Sequence, residues 1–269
     1  MRHVLSLLIG LVLCLVAGAT SAQAGESVRL RIAAMPNDAH LYYMDLLRSA
    51  LEAAGHAVEF DVTTGLPQPR IEAALREGSV DLHYFLRTPE RDGTYLPVPV
   101  GLTAGLISLR VLLVRTEDVP RFAGVESLAD LRALGMRAGF GQGWFDGMVW
   151  RRNQLPFMEV GGDWRNIYAM LAHGSRDIDY FPRGVTEILG EAQQHPELTI
   201  EPHLLLRYSS DQILYFSPAR SALVPLVRQA MEAFAATGEI ERRARARWGD
   251  DLESLSLDRR RAIDLDMPE

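Results

Sequence analysis

Two arginines, Arg87 and Arg183, close a duplicated stretch of this sequence. A guanidinium is well shaped to hold a carboxylate, because it is always charged and offers a planar fork for two parallel hydrogen bonds. Ile71 to Arg87 aligns without gaps on Ile167 to Arg183, 96 residues on, with nine of 17 positions identical and a shared Tyr-Phe-x-Arg ending. Helix, glycine cap and strand thus occur twice. Each arginine is expected to leave the C-terminal end of its strand, the edge where ligands bind in open α/β sheets. With Arg91 just beyond, the three would make an electropositive cleft inside a chain of net charge −7, favouring an anionic ligand such as a carboxylate. The alternative is internal pairing, Arg183 with Glu187 one helical turn on and Arg87 with Glu90. Tyr42, Tyr43, Trp144 and Phe145 are candidates for stacking on the ligand, and Tyr84 lies in the strand that leads to Arg87.

Several other chemistries lack their residues. All 28 basic residues are arginine, so no lysine can form a Schiff base or serve a phosphate-binding P-loop. The seven histidines show no His-Glu-x-x-His spacing, and no Gly-x-Ser-x-Gly elbow occurs. Glu187, Asp179 and His83 are the acid–base candidates near the expected cleft, and they form no recognisable constellation. We therefore expect no catalytic residue, metal or cofactor. The acidic balance argues against a general nucleic-acid or anionic-membrane partner.

The elements that must position these residues read as α/β. Arg2 and His3, the apolar run Val4 to Ala19 and Ala22-Gln23-Ala24 make residues 1–24 an export signal, expected to be cleaved after Ala24. Cys14, the single cysteine, would leave with it. Beyond it, strands at Val28 to Ala34, Ala57 to Val62 and Val80 to Phe85 alternate with helices at Ala39 to Ala54 and Pro69 to Glu77. The apolar run Ile107 to Arg115 leads into the polar stretch Thr116 to Gly124, read as the crossing to a second lobe. The alternation then restarts with a capped helix at Ser127, a strand at Arg137 to Phe140 and a helix from Trp144. A second crossing spans Thr199 to Leu206 and Gln212 to Phe216, followed by helices at Ser221 to Thr237 and Glu239 to Trp248. The expected division is 25–113 for the first part of lobe 1, 114–208 for lobe 2, and 209–269 for the return to lobe 1 and a tail. Two crossings would form a hinge that permits closure about a cleft.

Three segments carry a family resemblance over essentially the whole chain after residue 24. They are Gly78-Ser-Val-Asp81-Leu with Thr88-Pro89-Glu90-Arg91, then Leu128-Ala-Asp-Leu131 ahead of Arg137 to Gly143, then the Ala230 to Trp248 helices. In order and spacing the chain resembles the family 3 extracellular solute-binding proteins, best known for binding polar amino acids for ABC importers. The resemblance implies a two-lobed periplasmic binding protein fold of type II, each lobe a mainly parallel sheet flanked by helices. It also implies a small-molecule ligand, an inner-membrane permease as partner, and a soluble periplasmic monomer. Arg91 stands where the family's carboxylate-clamping arginine would be, with pairing to Glu90 or Asp92 as the alternative. Gly141-Gln-Gly143 stands where a glycine turn would present backbone N–H groups to an anion. Two departures matter. The strand before the turn carries Tyr84, Phe85 and Leu86 in place of small hydroxyl residues, and Arg183 replaces an aspartate that would hold a ligand ammonium. A sensor using the same closure, and a dehydratase-like enzyme on the same fold, are the alternatives to a transport receptor.

Overall fold

The computed structural model describes residues 27–34, 39–174 and 177–268. The expected export signal, its cleavage site and Cys14 lie outside the described residues. Lobe 1 is built from β1 (Val28–Ala33), α1 (Ala39–Ala53), β2 (Val58–Thr63), α2 (Gln68–Glu77), β3 (Leu82–Leu86), α3 (Pro89–Thr94) and β4 (Leu96–Val98). Lobe 2 follows as β5 (Leu109–Val114), α4 (Val119–Phe122), α5 (Leu128–Ala133), β6 (Ala138–Gly141), α6 (Phe145–Arg152), β7 (Phe157–Val160), α7 (Asn166–Ala172), β8 (Tyr180–Gly184), α8 (Ile188–Gln194), β9 (Thr199–Ile200) and β10 (Leu204–Tyr208). The chain then supplies β11 (Gln212–Phe216), α9 (Val224–Ala236), α10 (Glu239–Ser254) and β12 (Arg261–Leu265).

Two sheets result, ordered β2-β1-β3-β11-β4 and β12-β10-β5-β8-β6-β7, with β9 pairing β5. Each is covered by apolar side chains on both faces, so each lobe is three-layered. Strands pair in parallel where one βα unit follows another, as in β1–β2 and β6–β7. They pair antiparallel where the chain arrives from the other lobe, as in β3–β11 and β5–β8. Local signals behave as their chemistry requires. Gly78 ends α2 at φ 79°, and Ser127 caps α5 by accepting the Asp130 N–H at 3.2 Å.

The first crossing lies elsewhere than the sequence suggests. The run Leu109–Val114 is a central strand of the second sheet, paired with β8, β9 and β10, and the chain crosses before it, through residues 99–108. A strand buried on both faces is uniformly apolar whichever sheet it joins, so composition cannot assign it to a lobe. Residues 116–124 instead form short helical turns of lobe 2. The second crossing is the three-residue passage 209–211 between β10 and β11.

A third link is absent from the sequence reading. α10 buries Ile240 in the lobe 1 core, and Leu255 just beyond its end is buried in a lobe 2 core; β12 then joins β10 in parallel. The tail is fastened there, because the fully buried Asn153 amide donates to the Asp266 carbonyl at 2.8 Å and accepts the Asp266 N–H at 2.9 Å. Asn153→Ala should destabilise this attachment by about 1–3 kcal/mol. The expected readout is faster amide exchange in residues 261–266 while β1 and β2 exchange at their original rates.

The repeat is real but shifts register. Arg31 N–H donates to the Asp81 carboxylate at 2.8 Å, and Ile32 pairs with Leu82; Arg137 N–H donates to Asp179 at 2.8 Å, and Ala138 pairs with Tyr180. The strands are therefore offset by 98 residues, while the glycines that follow the helices, Gly78 and Gly174, remain offset by 96. Arg183 accordingly corresponds to Phe85 inside a strand. It is not the counterpart of Arg87, which lies just past the end of β3.

Candidate functional site

The two crossings run side by side and meet the C-terminal end of β3. There Arg87, Gly101, Gly105, Tyr208, Ser210 and Asp211 line an open pocket of about 400 Å³, within the size range of small-molecule sites. Asp211 ties one crossing to the other. Its carboxylate accepts the Thr103 N–H at 3.2 Å, the Thr103 hydroxyl at 2.5 Å and the Gly105 N–H at 2.9 Å. A Cβ on Gly101 would fall 2.5 Å from the Asp211 carboxylate, so glycine is what lets the crossings approach. Burial raises the Asp211 pKa above the ordinary aspartate value, with these hydrogen bonds opposing it.

On the lobe 2 side, Arg110 sits where both crossings enter. Its Nε donates to Asp146 at 2.7 Å, its Nη2 to the Tyr208 hydroxyl at 2.5 Å, and its Nη1 to the Ile107 carbonyl. One buried guanidinium thus fastens residue 107 of the first crossing and residue 208, just before the second, to the first turn of α6. Burial alone would lower its pKa, but Asp146 and Tyr208 outweigh that and hold it charged.

Tyr43 of α1 and Tyr84 of β3 belong to the lobe 1 core. These rings stack with centroids 4.0 Å apart, and Leu86 at the end of β3 packs on the lobe 2 core. Burial first, and then the anionic groups around it, push the Tyr43 hydroxyl pKa up; Glu187 of lobe 2 is among those groups. The Tyr84 hydroxyl is buried and has no hydrogen-bond partner among the described residues, and burial raises its pKa to about 12.

The expected site residues separate into two groups. Arg87 reaches the pocket with its side chain 48% exposed, and its Nε donates to Asp92 at 2.9 Å rather than to the expected Glu90. Arg91 is turned inward at 19% exposure. It donates to the Leu86 carbonyl at 2.9 Å and to Glu72 at 3.3 Å, and lies 4.8 Å over the Phe85 ring. Its partner is therefore Glu72, neither Glu90 nor Asp92. Arg183 is 9% exposed, and its Nε donates to Glu191 at 2.7 Å and its Nη2 to both Glu187 and Glu191. Two carboxylates neutralise it, and with Arg87 paired to Asp92 and Arg91 to Glu72 each of the three arginines has a carboxylate partner of the chain itself.

Trp144 lies within lobe 2, tilted against Trp164 with ring centroids 5.2 Å apart and with the Arg183 guanidinium carbon 5.3 Å over its ring. Gly143 takes φ 75°, and its N–H is engaged by Glu159 at 3.3 Å, so the glycine turn already holds an anion of the chain itself. Tyr42 packs on Trp248 at 4.8 Å, and its hydroxyl donates to the Leu102 carbonyl at 2.9 Å, a link between α1, α10 and the first crossing. Among the acid–base candidates, Asp179 receives the Arg137 N–H and His83 is wholly buried, which leaves Glu187 partly exposed. The sequence reading missed Arg110, Asp146 and Asp211. A lone arginine in the apolar run from Ile107 was a usable signal for the first, and the polar break Ser209-Ser210-Asp211 for the last.

His83 carries a pH prediction. Burial lowers its pKa to about 4, against a backbone hydrogen bond from Nδ1 to the Ala33 carbonyl at 2.8 Å that opposes the shift. The unfolded chain, with an ordinary histidine pKa near ~6.5, then binds the proton more readily. This contribution is complete above about pH 6.5 and is lost as pH falls toward 4, by roughly 3 kcal/mol in all. Urea melts of the wild type and His83→Phe should differ in their pH slope across that window and run parallel above it.

Lobes of this construction, joined by two adjacent crossings that line a pocket, make a two-lobed α/β fold. No protein-family model matches the chain, and no curated protein matches it in sequence. Solved structures do match. AbpA from Streptococcus pneumoniae, an amino acid ABC transporter substrate-binding protein bound to L-arginine, is similar with a TM-score of 0.56 and 15% identity, over 83% of this chain and 95% of its own. YckB from Bacillus subtilis gives 0.55 and 17% over 89% and 97%. The ancestral amino acid-binding protein AncCDT-1, a precursor of cyclohexadienyl dehydratase, gives 0.56 and 13% over 82% and 94%. The fold of this chain is the fold of those proteins. Among the described residues no helix is long and apolar enough to cross a membrane.

Proposed function

We propose that the protein is an exported, periplasmic receptor that closes its lobes on a small polar ligand bearing a carboxylate and delivers it to an ABC importer, without transforming it. The observation that carries this reading is the half-exposed Arg87 guanidinium in the pocket beside both crossings, where closure would remove it from water. Arg91, four residues on, would add a second cation by releasing Glu72. Each charged hydrogen bond to a ligand carboxylate contributes about 1.5–3 kcal/mol, and micromolar affinity needs about 8 kcal/mol. Two or three such bonds with packing on the apolar part of the pocket wall, such as Pro99 and Tyr208, would supply that. Similar folds hold L-arginine or glutamine, both of which carry a carboxylate. Glu187, the remaining acid–base candidate, is engaged by Arg183, which supports binding over catalysis.

Thermal melts against monocarboxylates, dicarboxylates, neutral amino acids, amines and phosphate test the reading. Carboxylate-bearing compounds should raise the melting temperature and be recovered unchanged. Stabilisation by amines alone, or turnover of the bound compound, would overturn it.

A further inference from the structure

β6 runs parallel to β7 and β8, so their C-terminal ends share one edge of the lobe 2 sheet, the kind of edge at which open α/β sheets bind ligands, and there the chain encloses a guanidinium. Trp144 follows β6, Trp164 follows β7, and Phe181 and Arg183 belong to β8. The Arg183 guanidinium carbon lies 5.3, 5.1 and 5.0 Å from the ring centroids of Trp144, Trp164 and Phe181. Glu187 and Glu191 accept its N–H groups, so three π faces and two carboxylates surround one cation that is 9% exposed. The surroundings are built to this shape. A Cβ on Gly141 would fall 2.5 Å from the Trp144 indole, so only glycine lets that ring lie where it does. The planar, weakly hydrated guanidinium suits such a mixture of ring faces and carboxylates better than a compact ammonium.

We propose that Trp144, Trp164, Phe181, Glu187 and Glu191 form a guanidinium-binding cage that the chain fills with its own Arg183, and that this resident cation bars a cationic ligand group from the lobe 2 side of the cleft. The first half stands on the cage geometry alone, and the second rests on the receptor reading above. With Arg183 in place, neither carboxylate can meet a ligand's positive end without parting from a guanidinium already seated. Removal of the side chain leaves two partly buried carboxylates and an aromatic slot with no cation between them.

The test is Arg183→Ala, followed by intrinsic fluorescence, since two of the cage rings are tryptophans. Low-millimolar guanidinium chloride should give a saturable change and raise the variant's melting temperature, with a Kd on the order of 1 mM, about 4 kcal/mol. Urea, neutral and of the same shape, should give neither effect, and the wild type should respond to neither. A folded variant that responds to guanidinium no more than to urea, or a wild type that responds as the variant does, would overturn the proposal. If the variant folds poorly alone, it is refolded in either compound at the same concentration. Recovery with guanidinium only supports the cage, and failure in both counts against it. For the second half, a guanidino acid should bind Arg183→Ala at least about tenfold tighter than wild type, while carboxylates without a cation keep their affinity. A receptor reading that fails would show as no carboxylate binding to wild type, with guanidinium binding to the variant intact.

Discussion

Asp146→Ala is expected to lower the free energy of unfolding by about 3–5 kcal/mol, because it leaves the Arg110 guanidinium buried with its counter-charge gone. The Tyr208 hydroxyl and the Ile107 carbonyl remain as partners, yet neither carries a full charge. A paired replacement separates charge from packing. Arg110→Met with Asp146→Leu removes both ions and keeps apolar volume, so it should recover most of the loss. Urea midpoints of the single and double variants check this. A double variant as unstable as Asp146→Ala would mean that the hydrogen bonds to residues 107 and 208, rather than the ion pair, dominate. Because Arg110 fastens both crossings to α6, the same substitution should also broaden the distribution of distances between the lobes.

Arg87→Ala is expected to do the opposite, weakening ligand binding with little effect on stability. Arg87 is half exposed, and its ion pair with Asp92 is worth about 0–1 kcal/mol, so the melting curve should hardly move. A lost charged hydrogen bond of about 1.5–3 kcal/mol should reduce carboxylate affinity by roughly 10- to 150-fold by titration calorimetry. Arg91→Ala provides the contrast. Arg91 bonds the Leu86 carbonyl and Glu72 and covers Phe85, so its removal should cost stability as well. If Arg87→Ala binds carboxylates as tightly as wild type does, the anchor lies elsewhere in the pocket.

Helices, glycine caps and the order of βα units were legible because their signals are local. Pro69 and Gly78 bracket α2 in the sequence as they do in space. What stayed hidden depends on contacts between distant segments. The strand Leu109–Val114 has the same apolar composition in either sheet, and only its pairing with Tyr180–Gly184 assigns it to lobe 2. The strands of the repeat are offset by 98 residues and the glycines before them by 96, while a gapless alignment over the 17 positions still finds nine identities. That shift is why Arg183 reads as a free cleft arginine in the sequence and sits caged in the structure. Ion-pair partners were legible only where they are one helical turn apart, as for Arg183 and Glu187. Arg91 meets Glu72 across 19 residues, whereas the nearer Glu90 and Asp92 offered themselves in the sequence.

The lobe arrangement also bears on how far the cleft can open. The crossings at 99–108 and 209–211 are joined by Asp211, and α10 with β12 adds a third tie between the lobes. Closure of the proposed receptor would have to accommodate all three ties.

Distance between the lobes is the most direct measure of the account. Cysteines placed at the exposed positions Arg70, in α2, and Asn166, in α7, give one label on each lobe, with no other cysteine beyond Cys14 to compete. Single-molecule energy transfer between them should shift to a shorter distance when a carboxylate ligand that stabilises the protein is added, and Arg87→Ala should need more ligand for the same shift. A distance that does not change while that ligand is demonstrably bound would contradict closure of the two lobes on the ligand.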